Sequence, residues 1–128
     1  MQPRGGVRPR VVLVAEDDDD IREVAVTALE LVSGFRTLTA TNGAEALHAA
    51  RQHRPDAILL DVRMPVLDGL DALEALKHHP VTAHIPVVLL TASDGGQGCL
   101  HDVAGVIEKP FDPMSLGGQV SRLLGWAS

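Results

Sequence analysis

The chain has a single cysteine, Cys99, among its 128 residues, so no internal disulfide can form. That usage suits a reducing cytosol, and a cytoplasmic location is expected. Long apolar runs are also missing. The opening Met1 to Arg10 carries Arg4, Arg8 and Arg10, and the run that follows it, Val11 to Ala15, stops at a row of acids. This is too short for a signal peptide or a membrane span, so residues 1–10 read as a flexible leader, with a basic docking arm as the other reading. An excess of positive charge is absent too. A formal charge of −6 and a pI near 5.4 offer no field to attract nucleic acid or an anionic membrane, and neither is expected as a partner.

The length fits one compact domain, expected over residues 11–127. Folding at this size buries about two thirds of the unfolded chain's surface, so a real core forms without staples. An apolar content of 45% agrees. No second domain of ordinary size fits, and output is expected from this domain's own surface.

Two hydrophobic periods alternate along the chain. Val11 to Ala15 is a continuous β-branched run of the kind a parallel strand shows when covered on both faces. From Asp20, Ile21, Val24, Ala25, Ala28 and Val32 recur at helical spacing, with Asp19 or Asp20 to cap the start and Ser33-Gly34 to stop it. Phe35 to Ala40 predicts a second strand, and Asn42 with Glu45 a capping box that opens a helix with Ala46, Leu47 and Ala50 inward, ended by Arg54-Pro55. Ala57 to Leu60 is a third strand. A helix through Leu70, Leu73 and Leu76 runs to about His79, before Pro80, and Pro86 to Leu90 is a fourth strand. Three glycines between Ser93 and Gly98 leave only a short, irregular fourth helix around Gln97 to Val103. Gly105 to Glu108 makes a fifth strand, and Asp112-Pro113 starts a last helix through Leu116, Val120, Leu123 and Leu124. Gly117 and Gly118 weaken that helix by about 1 kcal/mol each relative to alanine. Trp126 is expected to pack it. Alternating strands and helices predict an α/β fold, a doubly wound parallel sheet with helices on both faces.

Ligands of such sheets sit beyond the carboxyl ends of the strands. There this chain places Glu16 and Asp17 after the first strand, Asp61 after the third, Thr91 after the fourth and Lys109-Pro110 after the fifth. Converging carboxylates repel unless a cation or a proton intervenes. A hard divalent ion such as Mg²⁺, which takes oxygen ligands and keeps several waters, answers that need. For each residue there is a plainer reading. Asp18, Asp19 and Asp20 read as a solvated helix N-terminus, where acids suit the macrodipole. Glu16 and Asp17 end a buried strand, where an acid without a partner is costly. The six histidines, at 48, 53, 78, 79, 84 and 101, show no ligand spacing, and Cys99 reads as incidental.

The sequences Val14-Ala15-Glu16-Asp17-Asp18, Leu60-Asp61-Val62-Arg63-Met64-Pro65-Val66-Leu67-Asp68-Gly69, Leu90-Thr91-Ala92 and Glu108-Lys109-Pro110-Phe111 together resemble the signature of response-regulator receiver domains. The resemblance runs in the family's order over nearly all of the chain from Val11. It implies a flavodoxin-like (βα)5 sheet of strand order 2-1-3-4-5. It also implies a two-component signalling role in which Asp61 takes a phosphoryl group from a histidine kinase or histidine phosphotransfer protein. Glu16, Asp17, Asp61 and the Arg63 main-chain carbonyl would hold Mg²⁺ or Mn²⁺, Lys109 would pair with the phosphoryl oxygens, and Thr91 would donate its hydroxyl. Such a protein is not an enzyme beyond its own phosphorylation and dephosphorylation. The cognate kinase and downstream target stay open, and a monomer or weak dimer is expected.

Departures from the family bear on output. Glu16 stands where many members have aspartate. Val106, three residues before Lys109, stands where many have a tyrosine or phenylalanine whose rotation follows the threonine, and this chain has no tyrosine. Phosphorylation without an aromatic switch is therefore expected, through a 91–106 segment shorter and richer in glycine than usual. Arg63 and Ser93 border the path of an attacking water and would tune the phosphate's lifetime. One rival is a degenerate receiver that binds a partner without phosphorylation. Another is a phosphatase of the haloacid-dehalogenase type, but Asp61-Val62-Arg63 lacks the second acid such enzymes use for general acid work.

Overall fold

The computed structural model describes residues 9–64, 67–91 and 103–126. Five parallel strands, β1 (Val11–Ala15), β2 (Arg36–Ala40), β3 (Ala57–Asp61), β4 (Val87–Thr91) and β5 (Gly105–Glu108), form one sheet in the order β2-β1-β3-β4-β5. The helices among the described residues are α1 (Asp19–Thr27), α2 (Gly43–His53), α3 (Gly69–His78) and α4 (Pro113–Leu124). The fold class and strand order are as expected. The short helix around Gln97 to Val103 lies outside the described residues except for Val103, which packs against the core. Ser93, Cys99, His101 and residues 1–8 of the leader also lie outside them.

Because side chains alternate along a strand, the sheet has two apolar faces. Leu13, Ala15, Ile58, Leu60, Val87 and Leu89 meet Ala46 and Ala50 of α2 and Ala72, Leu73 and Leu76 of α3. On the other face Val12, Val14, Leu59, Val88, Leu90 and Ile107 meet Ala25, Leu29, Leu116 and Val120 from the α1 and α4 side. Burial on both faces is why these strands read as unbroken apolar runs.

Three local details differ from the periodicity. After α1 the chain continues as a π-helical turn over Ala28–Val32. Its wider winding carries Val32 off the buried side, while Leu29, four residues after the buried Ala25, stays fully buried; Val24, within α1, is 43% exposed. Glu45 accepts from the Thr41 main-chain N–H at 2.7 Å, one residue before the Asn42 cap, while Asn42 accepts from the Glu45 N–H at 2.8 Å. Leu70, on the expected inward face of α3, is half exposed.

The last helix closes on a Schellman turn. Gly125 adopts φ +71° and the Trp126 N–H donates to the Ser121 carbonyl at 2.9 Å. Trp126 then meets Phe35 edge-on at 5.5 Å, and the Arg10 guanidinium lies 4.4 Å over its ring. The Arg10 carbonyl also accepts from the Arg36 N–H at 2.8 Å, so the last residue of the expected leader is part of the folded domain.

Candidate functional site

Strand register brings the site residues to one level. Ala15 pairs with Leu60, Asp61 with Leu90 and Thr91 with Glu108, so Glu16, Asp61, Thr91 and Lys109 emerge together at the carboxyl edge. The Lys109 N–H donates to the Thr91 carbonyl at 2.8 Å, which extends the β4–β5 pairing to the lysine itself.

Lys109 Nζ lies 2.9 Å from Glu16 Oε1 and 3.1 Å from Asp61 Oδ1. Glu16 is 1% exposed and Asp61 4%, whereas Asp17 beside them is open to solvent. Carboxylate oxygens of Glu16, Asp17 and Asp61 all lie within 4.8 Å of one another. With all three ionised, the carboxylates against one ammonium leave two negative charges, in a cluster of hard oxygens with an open side. That donor set fits a divalent cation such as Mg²⁺.

The charges perturb one another. Burial pushes the Glu16 carboxyl up to about 7, against the hydrogen bonds from Lys109 and the Asp18 main chain, and the neighbouring Asp61 adds to the rise. For Lys109 burial disfavours the ammonium, but Glu16 and Asp61 outweigh it and hold the pKa above its ordinary value.

Glu16, Asp17, Asp61 and Lys109 thus form one cluster, with Thr91 buried at the adjoining strand end. Arg63 is exposed, and its N–H points to Asp61 Oδ1 at 3.4 Å. Val106 is partly buried against the α2–α3 core and puts no aromatic ring there. Sequence reasoning overlooked Arg22, whose Nη1 donates to the Glu16 carbonyl at 2.8 Å. The one signal for it was a lone cation at the end of an acidic row, Asp17 to Asp20.

Support also comes from the glycines. A Cβ on Gly69 would lie 2.0 Å from the Asp61 carbonyl oxygen, so the start of α3 seats directly against the backbone of the strand end. Along α1, an apolar groove of about 380 Å³ lined by Asp20, Ile21, Val24, Lys109, Pro110 and Phe111 opens beside the site.

The sequence model described as the response regulator receiver domain matches residues 12–121. The chain belongs to the response-regulator receiver family. It is 40% identical over 123 residues to the transcriptional regulatory protein PrrA of Mycobacterium bovis, covering 93% of this chain and 52% of that protein. With the regulatory protein AtoC of Escherichia coli it shares 41% over 117 residues, 88% of this chain and 25% of the other. The receiver chain thus spans about half or less of the length of these two relatives. Among solved structures, the receiver domain of the sensor histidine kinase PA1611 from Pseudomonas aeruginosa, described with a magnesium ion coordinated in its active site cleft, superposes with a TM-score of 0.82 at 29% identity. That match covers 92% of this chain and 99% of the other. The chemotaxis response regulator CheY4 of Vibrio cholerae gives 0.78 at 27% identity, covering 91% and 99%. Among the described residues of this receiver, no helix is long and apolar enough to cross a membrane.

Proposed function

We propose that this receiver is a phosphorylation-dependent signalling switch with Asp61 as phosphoacceptor. The observation that carries the reading is the position of Lys109 Nζ, within 3.1 Å of both Glu16 and Asp61. The Asp61 carboxylate attacks the phosphorus of a phosphohistidine on a histidine kinase or phosphotransfer protein. An O–P bond forms as the N–P bond breaks, and the departing electron pair stays on the imidazole, which takes a proton. The product is an acyl phosphate.

Glu16, Asp17 and Asp61, with the Arg63 main-chain carbonyl, would hold Mg²⁺ or Mn²⁺. When bound there the cation neutralises charge on the phosphoryl oxygens. Phosphoryl transfer depends mostly on positioning and charge stabilisation, and Lys109 supplies both by following the phosphoryl oxygens from its place beside Asp61. Thr91 donates its hydroxyl to the new phosphate. Arg63, exposed two residues after Asp61, would border the approach of water and tune the lifetime of the acyl phosphate. The domain acts as substrate of its donor and catalyses only its own phosphorylation and dephosphorylation. A cytoplasmic setting, where kinases meet ATP, fits a chain with a single cysteine. The groove beside Lys109 gives the phosphodonor protein an apolar seat next to the reacting carboxylate. The intact cluster favours this reading over a phosphorylation-independent interaction module.

Incubation with acetyl phosphate and Mg²⁺, followed by intact-mass measurement, tests the reading. The wild type is expected to gain one phosphoryl group and Asp61→Asn none. A wild type that gains nothing overturns it.

A further inference from the structure

Successive side chains of an extended chain point to opposite faces, so a strand running straight through Glu16 and Asp17 would separate their carboxylates. They are instead brought to one cluster with Asp61. The strand stops at Ala15, and the chain bends at Asp17 before α1 begins at Asp19. That bend turns the carbonyls of residues 16 and 17 out of the ladder.

Arg22 takes up those carbonyls. Its Nη1 lies 2.8 Å from the Glu16 oxygen and 3.5 Å from the Asp17 oxygen, while Nη2 is held by the Asp19 carboxylate. The side chain is only 19% exposed. A cation near a helix N-terminus opposes the macrodipole, and the i,i+3 pair with the exposed Asp19 offsets that only in part, so helix stability gives little reason for an arginine here. Nor does a cation beside a cation site help by charge. What the guanidinium supplies is a rigid planar fork that grips the bend from outside.

We propose that Arg22 is a positioning residue of the metal site, fixing the Glu16–Asp17 bend so that two successive carboxylates serve one cation. The inference rests on the reading that this cluster holds Mg²⁺. Two opposite expectations separate it from a purely electrostatic role. Charge alone predicts that Arg22→Gln binds Mg²⁺ more tightly than wild type, because a positive neighbour is gone. Positioning predicts weaker binding, by about 10-fold, the lower end of what loss of an outer-shell partner brings.

Isothermal calorimetry with MgCl₂ on wild type, Arg22→Gln and Arg22→Lys decides. Arg22→Gln is expected to bind roughly 10-fold more weakly. Arg22→Lys, which keeps charge and stem but loses the fork, should also bind several-fold more weakly. Arg22→Lys carries the test if Arg22→Gln does not fold. With acetyl phosphate, the Mg²⁺ concentration for half-maximal phosphorylation should rise in both variants while the limiting rate at saturating Mg²⁺ stays near wild type. Affinity in Arg22→Gln equal to or tighter than wild type, or in Arg22→Lys equal to wild type, overturns the proposal. Absence of Mg²⁺ binding in the wild type would instead remove the reading of the site beneath it.

Discussion

Lys109 Nζ sits closer to Glu16 than to Asp61, at 2.9 Å against 3.1 Å, although 93 residues separate it from Glu16 in the chain. The lysine that would accompany the phosphoryl group is thus held by an acid from the end of the first strand, and Glu16 is the more deeply buried of its two partners.

A pH dependence of stability follows from that burial. In the metal-free fold Glu16 keeps its proton up to about 7, whereas in the unfolded chain it loses it near 4.5. Between these values the native state binds more protons than the unfolded state, so stability falls as pH rises. The contribution is fully present below the lower value and lost above the upper one. Urea midpoints in EDTA should decline from about pH 5 to 8 in wild type and stay level in Glu16→Gln. Added Mg²⁺ should restore the wild type at the alkaline end and do little for the variant. An equal decline in Glu16→Gln would contradict the assignment.

Gly69 is fixed by its neighbour rather than by its own conformation. A methyl group there would stand 2.0 Å from the Asp61 carbonyl oxygen and 2.8 Å from Val62 Cα, both main-chain atoms that cannot rotate away. Gly69→Ala should lose about 2–3 kcal/mol in urea denaturation, as overpacking against backbone does, and slow phosphorylation by acetyl phosphate. Unchanged values for both would show that the loop shifts freely.

Adjacent glycines of α4 should respond with opposite signs. A Cβ on Gly118 would meet nothing within 4 Å, so Gly118→Ala should gain roughly 1 kcal/mol from helix propensity. At Gly117 the same methyl meets Ser33 Oγ at 1.7 Å and Ser33 Cβ at 2.6 Å. Gly117→Ala should therefore be destabilised by about 1–3 kcal/mol, with part of the loss recovered in the double variant with Ser33→Gly. Thermal melts of the three proteins check both signs.

Val24, 43% exposed on α1, lines the groove that also reaches Lys109. Val24→Asp should leave stability and acetyl-phosphate labelling near wild type while slowing transfer from a phosphohistidine protein by about 10-fold, the loss of one apolar anchor of 1–2 kcal/mol. Equal slowing with both donors would place the defect in the chemistry instead.

Much of this was legible in advance because burial leaves its period in the sequence. Strands covered on both faces read as unbroken apolar runs, and the abrupt switch to Glu16, Asp61, Thr91 and Lys109 marks where the sheet's carboxyl edge meets solvent. Helix phase was less legible. Val24 and Val32 have the spacing of buried residues, but the buried stripe runs through Ala25, Ala28 and Leu29, which leaves Val24 at its edge, and the π-helical turn at Ala28–Val32 carries Val32 away from it. Gly117 and Gly118 look alike as letters, and only the approach of Ser33 separates them.

By itself the sequence determined the order of strands and helices and which side chains stand at the strand ends, because both follow from local hydrogen bonding and the alternation of apolar and polar residues. The tertiary structure alone decided that Lys109 bridges Glu16 and Asp61, that Arg22 grips the bend between Glu16 and Asp17, and that α3 rests on the carbonyl of Asp61. Those contacts depend on distances across the sheet, and such distances are set by packing among residues far apart in the chain.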